Sequence, residues 1–471
     1  MSSNKKVSAM NSKNVVDFNL EFGINKNENI KRSFPFLQYF GAITASMMYL
    51  LLGVHGGWSG PILQKINEST TLNITQQEDS WIASSFTFGS IPAPILGAIG
   101  GMVLGRKRTL VLATIPILIG TLLFVTTTSV WSLIVGRILC GIGIAGATPI
   151  VPMYISEISS PTRRGRLGSI IMAEYNIGVL IIYAMGPYVS ITVNSIILIF
   201  IILLFILSFS FMPESPYYSV ISNQPKLAYD ALEKFQVSND NQEKLIEIQE
   251  YIKELKDKNV SYLDLFRIDS NRKALFYTLL LTTTNALTGI NVILAYAQTI
   301  FDEIGSDISS NYASIAFATV GVFTVVLASF FVDTWGRRPL LIVSTSSTAI
   351  CLFLIGLYFF LKYIDFEYIT EITLLPVIFL ILSKITMSIG ITPLPQVCVG
   401  EMFPSNLIAI ASCFIEFYGN ILRFIVIQSY RIISINFGIY SVFWLFCLCC
   451  TINTVIIIMV FPETKNKSLE E

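Results

Sequence analysis

Long apolar runs separated by short polar breaks dominate the chain. They fall at 36–62, 80–104, 109–127, 129–155, 166–189 and 193–212, then at 273–303, 310–333, 339–362, 372–402, 407–434 and 437–461. A bilayer core about 30 Å thick needs roughly 20 apolar residues per helical crossing. The pattern therefore predicts an all-α membrane protein of twelve transmembrane helices, six on either side of a polar segment at 221–273. That segment holds 19 charged side chains in 53 residues, with Leu245, Ile248, Tyr251, Ile252 and Leu255 recurring at helical spacing among them. Short amphipathic helices lying on a surface are expected there. The expected organisation is a tail at 1–35, a six-helix bundle at 36–220, a helical linker at 221–273, a second bundle at 274–461 and a tail at 462–471. The first tail lacks the short apolar core of a cleavable leader.

Composition agrees with a chain immersed in lipid. Of 471 residues, 53% are hydrophobic and 13% charged, against about 25% charged in a soluble domain. The mean hydropathy is +0.66. Lys+Arg and Asp+Glu both number 31, so no basic field exists to hold nucleic acid. The seven cysteines all lie in apolar runs and His55 is the single histidine, which argues against disulfides, metal clusters and His-based catalysis. No nucleophile, base and orienting group converge in any run, so neither an enzyme nor a cofactor is expected.

Basic residues mark alternate loops: Arg106, Lys107 and Arg108 after span two, Arg163, Arg164 and Arg166 after span four, the linker, and Arg337 and Arg338 after span eight. The positive-inside rule puts these loops and both termini in the cytosol. The opposite loops hold the acceptor patterns Asn67-Glu68-Ser69 and Asn73-Ile74-Thr75, which makes Asn67 and Asn73 candidate glycosylation sites.

The two halves repeat one another. Gly105-Arg106-Lys107-Arg108 returns as Gly336-Arg337-Arg338-Pro339, 231 positions on. Thr148-Pro149 with Glu157 returns as Thr392-Pro393 with Glu401 at an offset of 244, and Pro213-Glu214-Ser215 as Pro462-Glu463-Thr464 at 249. Two repeated bundles suit a carrier that rocks one half against the other around a midplane site. Charges at span ends should pair when one face shuts. Glu157 is expected against Arg137 and Arg164, and Glu401 against Arg337 or Arg338, with each exposed pair worth about 0.2–1 kcal/mol. Glu416 and Arg423, seven residues apart, share a face of span eleven.

The residues Val135-Gly136-Arg137, Pro152-Met153-Tyr154-Ile155-Ser156-Glu157, Pro213-Glu214-Ser215-Pro216, Thr288-Gly289-Ile290-Asn291, Asp333 with Gly336-Arg337-Arg338, Pro393-Leu394-Pro395, Glu401 and Pro462-Glu463-Thr464-Lys465 resemble the sugar porters of the major facilitator superfamily. Gln38-Tyr39, Gly57-Trp58 and Ser80-Trp81 are most similar to the insect trehalose and glucose facilitators. The resemblance implies a major facilitator fold and a facilitative sugar uniporter of the plasma membrane, monomeric, with a small-molecule sugar as its partner in the bilayer. It implies Asn285, Thr288, Asn291, Tyr296, Gln396 and Asn420 as the sugar site and Arg137, Glu157, Arg164, Asp333, Arg337, Arg338 and Glu401 as the gate. Amides suit sugar hydroxyls because each offers a donor and an acceptor without a buried charge.

The chain departs from that family at several positions. Met172, Ala286 and Gly321 stand where the family has amides, Gln396 stands at its tryptophan, and Glu174 is a possible addition. Ile408 replaces a basic residue near Glu401. Val54 stands where proton-coupled relatives have an aspartate, which favours uniport over symport. A non-transporting sugar sensor is the rival from another class, and it would be marked by long cytosolic extensions.

Overall fold

The computed structural model describes residues 36–68, 74–126, 129–237, 240–257, 263–404 and 407–463. Among them every regular element is helical. Eleven helices are long and apolar enough to cross a membrane: Phe36–Glu68, Gln76–Val103, Arg106–Val125, Val130–Ile158, Arg164–Met185, Ile191–Ser210, Asp269–Ala295, Arg337–Tyr363, Ile369–Met402, Ile408–Phe437 and Ile439–Val460. The remaining span, eighth in order, is the 26-residue helix Ser310–Trp335. The twelve spans form two six-helix halves.

Several spans are broken where the sequence removes a donor or frees the backbone. The second breaks before Pro94, with Pro92 as its cap, and the fourth at Thr148-Pro149 between Val130–Ala147 and Ile150–Ile158. Proline has no N–H to continue the ladder. The seventh turns at Gly289, which has φ +76°, between Asp269–Leu287 and Ile290–Ala295. The tenth breaks between Leu374–Ile389 and Leu394–Met402.

Within the first half, span one packs along span five, and spans two and three pack on span four. Two glycines set the first contact. A Cβ on Gly53 would lie 1.9 Å from the Tyr175 carbonyl oxygen, and one on Gly178 would lie 2.1 Å from that of Leu50. Small residues thus let the two backbones touch, which lipid does not otherwise drive. The second half packs span nine on spans ten and twelve, and span eight on span ten. The halves meet along two seams, span two against span eleven and span five against span eight.

Helix Pro216–Ile221 leads out of the first bundle, and the linker forms helices Pro225–Phe235, Asn241–Asp257 and Asp264–Arg267. Its apolar face is turned inward, with Leu245, Ile248 and Ile252 buried and Tyr251 38% exposed; the Leu255 side chain lies outside the described residues. Gln38 at the start of span one fixes it, donating to the Phe235 carbonyl at 2.6 Å and accepting from the Ser160 N–H at 3.3 Å. The linker therefore sits at the end of the bundle that carries the arginine motifs.

Candidate functional site

At the arginine end, each half builds the same device. Gly105 takes φ +98° and Gly336 φ +86°, conformations open to glycine at little cost. The turn aims two successive N–H groups at one carboxylate: Arg106 and Lys107 donate to Glu214 at 3.0 and 3.1 Å, and Arg337 and Arg338 donate to Glu463 at 2.9 and 3.1 Å. The first arginine of each motif then reaches across its own half. Arg106 holds Glu157 at 2.7 Å, and Arg337 holds Glu401 at 2.6 Å. Ser215 also donates to Glu157.

Glu157 thus pairs with Arg106 rather than with Arg137 or Arg164. Arg137 lies twenty residues back along span four, about 30 Å away by helical rise. It is 1% exposed, and its guanidinium lies over the rings of Trp58 and Phe86 at 5.0 and 5.6 Å. Arg137 donates to the carbonyls of His55 at 3.4 Å and Ala83 at 3.2 Å. Arg164 is exposed at the start of span five. Arg338 turns away from Glu401 and donates to the Ile458 carbonyl at 2.6 Å. The side chain of Asp333 lies outside the described residues.

The far end is organised differently, because an ion pair and several hydrogen bonds there cross between the halves. Asp79 on span two pairs with Arg431 on span eleven at 3.1 Å, and Ser84 donates to Gln428 at 2.6 Å. Tyr183 donates to the Leu294 carbonyl at 2.7 Å and Gln64 to Asp302 at 2.8 Å. Asn67 is exposed here beside a cavity of about 360 Å³ shared with Glu68, Asp302 and Glu303. Asn73 lies outside the described residues.

Between the two ends, the residues expected to hold a sugar are spread over distinct roles. Asn291 keeps its amide nitrogen buried and without a hydrogen-bond partner among the described residues. Asn285 donates to the Ile391 carbonyl at 3.3 Å, and the Thr288 hydroxyl is spent on the Asn285 carbonyl at 2.8 Å. A Cβ at Gly289 would strike the Phe446 ring at 2.3 Å, so the close approach there is by an aromatic. Tyr296 is buried against Tyr430, ring centres 4.6 Å apart. Gln396 donates to Glu416 at 3.2 Å, and Glu416 pairs with Arg423 at 3.3 Å. Arg423 in turn donates to Asn420 at 2.6 Å, and Asn420 donates across the seam to the Ser90 carbonyl at 2.9 Å. Asn420 therefore ties span eleven to span two.

Three interior polar residues escaped the sequence reading. Gln298 is fully buried with both amide atoms unpaired among the described residues. Asn176 on span five and Lys384 on span ten converge beside Gly321 of span eight. Lys384 had a visible signal, being a lone charge inside an apolar run.

Comparison with known proteins agrees with this architecture. The family model described as "Sugar (and other) transporter" matches residues 39–471. A facilitated trehalose transporter of Bombyx mori is 28% identical, with 99% of this chain and 92% of that protein covered. One of Apis mellifera ligustica is 27% identical, covering 92% and 87%. The partially occluded, inward open structure of the xylose transporter XylE from E. coli superposes with a TM-score of 0.77 at 20% identity, covering 92% of this chain and all of that one. The family match spans nearly the whole chain, and the two repeated halves have the layout it requires. The chain belongs to the sugar transporter family, within the major facilitator fold.

Proposed function

We propose that the chain is a facilitative carrier that moves a sugar, a hexose or a disaccharide such as trehalose, across the plasma membrane as a monomeric uniporter. Both termini and the linker face the cytosol in this reading, since the arginine motifs gather at the end where the linker docks. One observation carries the proposal: the Asp79–Arg431 ion pair and the Ser84–Gln428 hydrogen bond at the far end join the two halves, whereas the arginine-end ion pairs each stay within one half. Halves locked at one mouth and separately braced at the other can part at the cytosolic side and rock around the seam. Uniport is supported by Arg137, which has no carboxylate partner among the described residues, and by Val54 at the family's proton-coupling position. Neither offers a carboxylate there to take up a proton.

Uptake of labelled glucose and trehalose into proteoliposomes, with and without a pH gradient, tests the proposal. Equilibrating uptake that ignores the gradient is expected. Accumulation driven by protons would contradict uniport, and uptake no faster than in protein-free vesicles would contradict carriage of these two sugars.

A further inference from the structure

Lys384 lies ten residues into the helix Leu374–Ile389 of span ten, about 15 Å from that helix's start. Its depth therefore places it near the middle of the membrane. It is 5% exposed. Among the described residues its ammonium has no ion pair and no hydrogen bond, and it lies 5.7 Å from the centre of the Phe317 ring. A charge in that position costs several kcal/mol unless something compensates it. A ring face supplies only about 0.5–2 kcal/mol.

The surroundings show where compensation would come from. A Cβ on Gly321 would meet the Asn176 Oδ1 at 2.7 Å and the Lys384 Cε at 2.9 Å. Asn176 belongs to the first half and Lys384 to the second, so glycine at 321 clears the space in which the two side chains meet across the seam. Asn176 is itself buried, and its Nδ2 donates to the Met172 carbonyl of its own helix at 2.9 Å. The other ionisable group nearby in sequence, Glu174, sits two residues before Asn176, about 200° round the helix. It is not placed to neutralise the lysine by way of the Asn176 face. Among the described residues, what the seam lacks is an anion beside Lys384.

We infer that the solute carried at this seam is an acid-bearing sugar, whose carboxylate or phosphate seats against Lys384 beside Asn176. The inference rests on the carrier reading above and narrows its substrate. An ammonium on a flexible stem accepts either anion as a point charge, and an anion arriving from water removes the cost of the bare cation only when both halves close on it. The sugar hydroxyls then fall to amides such as Asn291. Uniport of such a solute moves net charge.

Proteoliposomes holding the full chain should be assayed with labelled glucuronate, glucose 6-phosphate, glucose and trehalose in parallel. At least one acidic sugar is expected to enter about tenfold faster than either neutral sugar, the worth of one charge-assisted hydrogen bond. The two acidic arms separate carboxylate from phosphate. An inside-positive potential should speed that acidic sugar and leave glucose unchanged, a measurement that needs no variant. Lys384→Arg should retain the preference for the acidic sugar, and Lys384→Gln should abolish it, bringing the rates for acidic and neutral sugars together. Uptake of glucose or trehalose with no competition from either acid overturns the inference and leaves the carrier reading standing. Uptake of none of the four overturns both.

Discussion

Arg106 and Arg337 hold equivalent posts in the two halves but not equivalent surroundings. The side chains of the Arg106–Glu157 pair are 7% and 11% exposed, against 13% and 26% for Arg337–Glu401. Stranding one partner of a buried pair costs about 3–5 kcal/mol, whereas an exposed pair is worth about 0–1 kcal/mol. Arg106→Gln should therefore lower the thermal midpoint of the purified protein more than Arg337→Gln does, and equal shifts would mean that burial does not set the cost. At the centre, Asn291→Ala should cut uptake at least tenfold with surface expression retained, because its buried nitrogen has no partner among the described residues and a lost ligand bond is worth about 1.5 kcal/mol. Thr288→Val should leave uptake within about twofold, since that hydroxyl is committed to its own helix. The Arg106–Glu157 pairing was legible in principle: the expected Arg337–Glu401 contact, carried through the repeat, maps onto it. Sequence proximity points instead to Arg164, and the position of Arg137 twenty residues back along span four keeps it from Glu157.

Among the elements, the twelve apolar runs marked the spans because a helix in lipid is apolar on its packed face and its lipid face alike. For the same reason periodicity could not say which face meets which neighbour. The contacts that fix those faces are backbone approaches. Span five offers an internal comparison: a Cβ on Gly178 would stand 2.1 Å from the Leu50 carbonyl oxygen, whereas one on Gly168 would meet nothing within 4 Å. No rotamer relieves a clash with backbone, so Gly178→Ala should destabilise by about 1–3 kcal/mol. Gly168→Ala should be neutral or stabilise by about 0.5–1 kcal/mol through helix propensity. Thermal unfolding in detergent compares the two directly, and similar losses would refute the assigned packing of span one on span five.

At the scale of the whole molecule, among the described residues, the ion pair at the far end joins the halves, while the ion pairs at the arginine end brace each half. The sequence displayed the second kind through its repeated motifs. It hid the first, because Asp79 and Arg431 lie 352 positions apart and neither belongs to a repeated motif. Removing that link with Asp79→Asn should favour the state open at the far end by about 1 kcal/mol, roughly a fivefold change in population. A cysteine replacing the buried Gln298 should then label faster from outside, and an unchanged rate would remove Asp79 from the gate.

Alternating access requires the halves to part at the far end during transport. Ser84 and Gln428 touch there across the seam. With the native cysteines replaced, Ser84→Cys with Gln428→Cys should be joined by a short bifunctional thiosulfonate and sugar uptake into proteoliposomes followed before joining, after it and after reduction. Uptake should stop on joining and return on reduction. Full joining with undiminished uptake would show that the solute crosses without the halves separating, and would contradict alternating access in this chain.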